Sequence, residues 1–137
     1  MGSVSQVRLL LDTHIWIWSV AEPERLSRKV SSTLQSARSE LWLSPINVWE
    51  LLLLTEKGRV KLDRPPERWI EEAFASSPLR DAPLNREVAV ESRRLQLSHE
   101  DPADRFIAAT ASVYDLTLVT ADERLFRIGG LAVLANS

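Results

Sequence analysis

Four carboxylates in this chain have neighbours that ordinary surface charges lack. Asp12 directly follows the apolar run Leu9-Leu10-Leu11. One helical turn from Glu50 lie Ile46, Asn47, Leu53 and Leu54, and no Lys or Arg stands three or four positions away to pair with it. Asp104 has Asp101 three residues before it and Ile107 and Ala108 a turn after it. Asp122 follows Leu118-Val119 by the short Thr120-Ala121 step. A carboxylate on an apolar stripe is costly to bury unless a metal or a distant partner compensates. Each acid also has a plain structural explanation. Asp12, Asp101 and Asp122 suit helix caps, Asp104 suits the positive end of a helix dipole, and rotation of its helix would leave Glu50 at the solvent edge.

Taken together, Asp12, Glu50, Asp104 and Asp122 fit the rim of one sheet. Four converging carboxylates carry about −4 of self-repelling charge in a partly buried site. Hard divalent cations with oxygen ligands are the natural compensation, and two Mg²⁺ or Mn²⁺ would neutralise the set. An all-carboxylate site with open positions suits phosphoryl chemistry, one ion generating hydroxide and the other stabilising the leaving oxygen.

The elements that must position these acids follow from apolar runs and from caps. Val7 to Leu11 reads as a buried strand ending at Asp12. Ile15 to Val20 suggests a short helix stopped before Pro23, and Leu26, Val30, Leu34 and Ala37 predict a second through Ser39. Leu41-Trp42-Leu43 is the next strand. Ser44-Pro45 starts a helix that runs to about Lys57, with Gly58 as its stop. Pro65-Pro66 opens another helix that ends by Pro78, and Leu79 to Leu84 holds a short edge strand interrupted by Pro83. Asn85 caps a helix carrying Val88, Val90 and Leu95, and Asp101-Pro102 repeats the cap-plus-proline start. Leu116 to Val119 and Leu131 to Leu134 are the last strands. Strands alternating with helices predict an α/β fold, a parallel sheet covered on both faces.

Four segments carry a resemblance. Leu9-Leu10-Leu11-Asp12-Thr13-His14, Trp49-Glu50-Leu51, His99-Glu100-Asp101-Pro102-Ala103-Asp104-Arg105 and Thr120-Ala121-Asp122, in this order and at these separations, resemble PIN-domain proteins. More narrowly they look like the VapC toxins of bacterial and archaeal toxin–antitoxin pairs, from about Val7 to Leu134. The resemblance implies a PIN-like three-layer α/β/α fold around a mostly parallel sheet of about five strands. It implies a metal-dependent endoribonuclease that leaves a 5′-phosphate and a 3′-hydroxyl, using one or two Mg²⁺ or Mn²⁺, and neutralised by a small antitoxin protein. The family's catalytic, metal-holding acids map onto Asp12, Glu50, Asp104 and Asp122, with Asp101 as an accessory acid. Thr120 and Arg105, beside these motifs, are expected as further accessory residues. Ala103 stands where many relatives carry a bulky aromatic.

Composition sets the outer limits. The chain's 137 residues suit one domain, with 45% hydrophobic and 26% charged residues as in ordinary globular proteins. No cysteine is present, which excludes disulfide scaffolds, thiolate zinc sites and cysteine nucleophiles, and two histidines are too few for most histidine-built zinc sites. A net charge of −2 argues against a surface that is basic all over, while leaving room for a local basic rim. No apolar stretch reaches the length that spans a bilayer and no secretory pattern is visible, which together predict a cytoplasmic protein. Met1-Gly2-Ser3 reads equally as a native start or a cloning remnant.

Weaker candidates surround the acids. His14 and His99 flank the acidic motifs and read as structural or as substrate-orienting. Arg105 faces away from Asp104 and suits a carboxylate or a phosphate, and Lys57, Arg59 and Lys61 suit a solvated helix end or an RNA backbone. The tryptophans Trp16, Trp18, Trp42, Trp49 and Trp69 read chiefly as packing, with base stacking as the alternative. Apolar surface in the first half predicts a homodimer that also captures an antitoxin helix in a groove. Beside the ribonuclease stands a second reading, a non-catalytic binding module with a vestigial acidic site. A receiver-type phosphoacceptor needs a lysine near its final strands, and none follows Asp104.

Overall fold

The computed structural model describes residues 6–97 and 100–137. Its strands are β1 (Val7–Leu11), β2 (Ser39–Leu43), β3 (Leu79–Asp81), β4 (Thr117–Thr120) and β5 (Val133–Ala135). They form one sheet in the order β3-β2-β1-β4-β5, every neighbouring pair parallel. Helices α1 (Thr13–Ala21) and α2 (Arg28–Gln35) lead to β2, and α3 (Pro45–Glu56) and α4 (Pro66–Ser76) lead to β3. Helices α5 (Arg86–Arg94) and α6 (Pro102–Tyr114) lead to β4, and the turn Glu123–Leu125 precedes β5.

Side-chain alternation along β1 builds the layers. Leu9 and Leu11 enter a core with Ile15, Trp16, Leu51 and Trp69, whereas Leu10 enters a second core with Ile107, Ala111 and Leu118. The sheet is therefore covered by helices on both faces, the expected three-layer arrangement. Trp16 packs edge-on to Trp69 at 5.4 Å inside the first core, while Trp49 is exposed. No helix among the described residues is long and apolar enough to cross a membrane.

From β1 the chain proceeds outward to β2 and β3 on one side and to β4 and β5 on the other. The switch point thus lies between β1 and β4, and ligands of open α/β sheets bind in the crevice beyond the strand ends there. Two caps aim helices at that crevice. Ser44 Oγ accepts from the Ile46 N–H at 3.1 Å while Asn47 Oδ1 accepts from the Ser44 N–H at 2.8 Å, fixing the start of α3. Asp101 Oδ1 accepts from the Asp104 N–H at 3.1 Å and starts α6. Past the end of α3, Gly58 takes φ +70°, which closes the helix as expected.

Several boundaries differ from the sequence reading: the edge strand expected across Leu79 to Leu84 is only Leu79–Asp81, Leu95 lies just past the end of α5, and β2 starts at Ser39, before Leu41. The helix expected from Leu26 through Ser39 is confined to Arg28–Gln35. Ser27 caps the Val30 N–H at its start, and Ser39 is already paired beside Val7 in the sheet. The final strand lies at Val133–Ala135, two residues later than expected at its start, where it pairs with Leu118 to Thr120. Met1-Gly2-Ser3 and His99 fall outside the described residues.

Candidate active site

Asp12 is placed by the sheet itself. Its N–H donates to the Val119 carbonyl at 2.9 Å, extending the β1–β4 ladder by one bond. Its Oδ1 accepts from the Thr13 N–H at 2.9 Å, the capping bond that the sequence suggested. Its Oδ2 accepts from Thr120 Oγ1 at 2.6 Å, and that same hydroxyl oxygen accepts from the Asp122 N–H at 3.0 Å. Burial pushes the Asp12 carboxyl above its ordinary range, against the opposing pull of the Thr120 and Thr13 hydrogen bonds.

Glu50 arrives from the opposite wall. Asn47 Nδ2 donates to the Leu11 carbonyl at 3.1 Å and to Thr13 Oγ1 at 3.0 Å, which pins the first turn of α3 to the end of β1. Glu50, three residues on, then overhangs the strand ends. Its carboxyl is pushed up to about 7, first by burial and then by the charges of Asp12, Asp104 and Asp101, with a Thr13 hydrogen bond opposing.

The start of α6 supplies its N-cap Asp101, which is exposed, and the first-turn Asp104, which is 6% exposed. Carboxylate oxygens of Glu50, Asp101 and Asp104 all lie within 4.8 Å of one another. The tightest group therefore contains two of the four expected acids together with Asp101, expected only as an accessory. Asp12 and Asp122 line the same cleft from the sheet side, along with His14, Lys57 and Arg59; its volume is about 450 Å³. Capping and convergence prove compatible, since Asp12, Asp101 and Asp122 each cap a backbone N–H and each face this cleft.

A larger hollow of about 560 Å³ lies beside α4, lined in part by Val20, Leu62 and Trp69. Its acids are each paired with an arginine: Asp63 and Glu72 with Arg64, Glu72 also with Arg68, and Glu22 with Arg25.

Among the accessory residues, Thr120 sits at the junction of Asp12 and Asp122. Arg105 does not reach the acids. Its Nη1 donates to the carbonyls of Ser92 and Leu95 at 2.9 and 3.3 Å, and its Nη2 pairs with Glu100 at 3.0 Å. The reason is rotational: one position past Asp104, a helical side chain points about 100° away, here toward α5. Arg124, which no sequence pattern singles out, does reach them: its Nη2 lies 2.8 Å from Asp122 Oδ2 and 3.5 Å from Asp104 Oδ2. A two-residue spacing across a turn gives no helical pairing signal, so only the cap at Asp122 hints at it.

The PIN domain profile matches residues 9–131. The chain belongs to the PIN-domain family. This PIN domain is 37% identical over 118 residues to Ribonuclease VapC22 of Mycobacterium tuberculosis (strain ATCC 25618 / H37Rv), covering 85% of the chain and 88% of that relative. Its fold is similar to that of VapBC2 from Rickettsia felis bound to a DNA fragment from their promoter. That match has a TM-score of 0.71 and 18% identity, over 94% of this chain and 98% of the other. It is also similar in fold to VapBC-5 from Mycobacterium tuberculosis, a member of the VapBC family of toxin–antitoxin systems, with a TM-score of 0.61 and 15% identity over 94% and 98% of the two chains.

Proposed function

We propose that this PIN domain is an endoribonuclease that depends on Mg²⁺ or Mn²⁺ and acts as the toxin of a toxin–antitoxin pair. The observation that carries the reading is the meeting of Glu50, Asp101 and Asp104 oxygens within 4.8 Å at the switch point of the sheet. The donor set fits a hard divalent cation, because every candidate ligand is a carboxylate oxygen. Glu50 supports the fit, since its raised pKa marks a charge that the neighbouring protein groups leave uncompensated. The 37% identity to a ribonuclease supports RNA as the substrate.

Glu50, Asp101 and Asp104 would hold the ion, with Asp12 and Asp122 completing the site or holding a second one. When bound, a divalent ion supplies Lewis acidity at the phosphodiester and charge to stabilise the leaving oxygen, with a 5′-phosphate and a 3′-hydroxyl as products. The chain's own residues prepare the site. Thr120 and Thr13 fix both oxygens of Asp12, so this carboxylate needs no reorganisation to act. Lys57 and Arg59 stand on the cleft wall, where they would neutralise RNA phosphates near the acids.

The partner expected from the resemblance is a small antitoxin protein, and Val20, Trp49 and Val90 offer exposed apolar contacts for it or for a homodimer. A cytoplasmic site of action follows from an RNA target. The 37% identity to a ribonuclease favours the enzyme over the binding-module reading, which the acids alone do not exclude.

Induction in a bacterial host tests this. The wild type should arrest growth and fragment tRNA or rRNA, Asp104→Asn should do neither, and a small protein from the native operon should co-purify and relieve the arrest. Normal growth with intact RNA at full wild-type expression rejects the toxin reading.

A further inference from the structure

Arg124 occupies a distinctive place in the acidic cleft. Asp122 Oδ1 accepts from the Arg124 N–H at 3.0 Å, and this cap folds the side chain back over the same carboxylate. Nε then donates to Oδ1 at 3.1 Å and Nη2 to Oδ2 at 2.8 Å, a two-point fork. The same Nη2 stands 3.5 Å from Asp104 Oδ2, so one guanidinium bridges the end of β4 to α6. Burial is lopsided across this bridge. The Asp104 side chain is 9% exposed, whereas that of Arg124 is 55% exposed. Arg105 has a side chain only 10% exposed and tied to backbone carbonyls, so it is fixed. Arg124 reaches in from solvent and can rotate back to solvent without disturbing either core.

Five carboxylates (Asp12, Glu50, Asp101, Asp104 and Asp122) share the cleft with this guanidinium. A divalent ion seated by Glu50, Asp101 and Asp104 would contend with Arg124 for the Asp104 oxygens, and the two cations would repel at short range. Seating a divalent ion on these acids would then require Arg124 to give up its contact with Asp104. A displaced Arg124 remains tethered at the lip of the cleft, and its planar fork matches a phosphate group in two-point fashion.

We propose that Arg124 is a tethered counter-cation: it holds Asp104 and Asp122 in the metal-free protein and, once a divalent ion takes the acids, turns to an RNA phosphate beside the cut. This rests on the metal-dependent ribonuclease reading above, and names a positioning residue for its substrate.

The test pairs Mn²⁺ titration calorimetry on metal-stripped protein with steady-state cleavage of a short single-stranded RNA at saturating Mn²⁺. Arg124→Gln keeps the Asp122 cap, which uses only backbone N–H, and should still fold. It should bind Mn²⁺ about three- to tenfold more tightly, as expected for removing a competing charge near the surface. Its KM for the RNA should rise about tenfold, with kcat changed less, because the variant has no charged fork to grip the phosphate. Arg124→Lys keeps the charge, and should hold near-wild-type Mn²⁺ affinity with an intermediate KM. Tighter metal with weaker RNA is an opposed pair that loss of structure alone does not produce. Equal or weaker Mn²⁺ binding by Arg124→Gln, or an unchanged KM, overturns the proposal. If the wild type itself takes up no Mn²⁺, the metal-dependent reading beneath it fails instead.

Discussion

The hydroxyl of Thr120 donates to Asp12 Oδ2 at 2.6 Å, joining the ends of two adjacent strands separated by 108 positions in sequence. The same oxygen accepts from the Asp122 N–H, so a single side chain orders two acids of the cleft. Thr120→Val keeps the shape and leaves both a buried carboxylate oxygen and an N–H without their partner. It should destabilise the fold by about 1–3 kcal/mol, the usual penalty for an orphaned buried polar group. Urea unfolding in EDTA measures this, and Thr120→Ser should restore most of the loss. Equal stability of the valine variant would show that the bridge contributes nothing.

Glu50 predicts a pH dependence of stability with a definite sign. Its folded pKa is raised from 4.5 to about 7, so the folded chain holds this proton more tightly than the unfolded chain does. Stability from this group is fully present below about 4.5 and is lost as pH rises through about 7. Metal-free wild type should therefore weaken across that window. Glu50→Gln should flatten the decline, being close to wild type at low pH and more stable than it at about pH 8. Parallel profiles for the two proteins would contradict the assignment.

Arg105 and Arg124 should separate cleanly by experiment. Arg105→Met removes charged donors from the Ser92 and Leu95 carbonyls in a buried setting, at a cost of about 2–4 kcal/mol. Where the variant remains folded, its Mn²⁺ affinity should match that of the wild type. A change in Mn²⁺ affinity without loss of stability would return Arg105 to the site.

Much of this arrangement was legible in the residues. Ser44-Pro45 and Asp101-Pro102 marked the starts of the two helices that carry Glu50 and Asp104, and the apolar run ending at Asp12 marked the central strand. The end of α2 was not legible, because Ala37 continued the helical spacing while the chain had already turned at Ser36. Nor could sequence rank the acids. Capping and metal binding looked like competing explanations, yet Asp101 uses Oδ1 to cap Asp104 and still lies against Glu50. Arg124 was invisible for a related reason, since its contact with Asp104 joins two elements brought together only by the sheet.

Metal should stabilise the folded chain by mass action. At a hundredfold excess of Mn²⁺ over Kd the gain is about 2.7 kcal/mol, read as a rise in melting temperature. Asp104→Asn should lose most of this gain. Its metal-free melt should stay close to wild type, because relief of repulsion from Glu50 and Asp101 is offset by the missing pair with Arg124. An equal Mn²⁺-induced rise in both proteins would remove Asp104 from the ligand set.

Cleavage of RNA by purified, metal-stripped protein bears most directly on the claim that these acids form a metal-dependent nuclease site. In EDTA, tRNA and rRNA fragments should remain intact. Restoring Mn²⁺ or Mg²⁺ should give products with 5′-phosphate ends, and Glu50→Gln and Asp104→Asn, each folded, should cut about a hundredfold more slowly or not at all. Cleavage that persists undiminished in EDTA, or in folded Asp104→Asn with Mn²⁺ present, would contradict it.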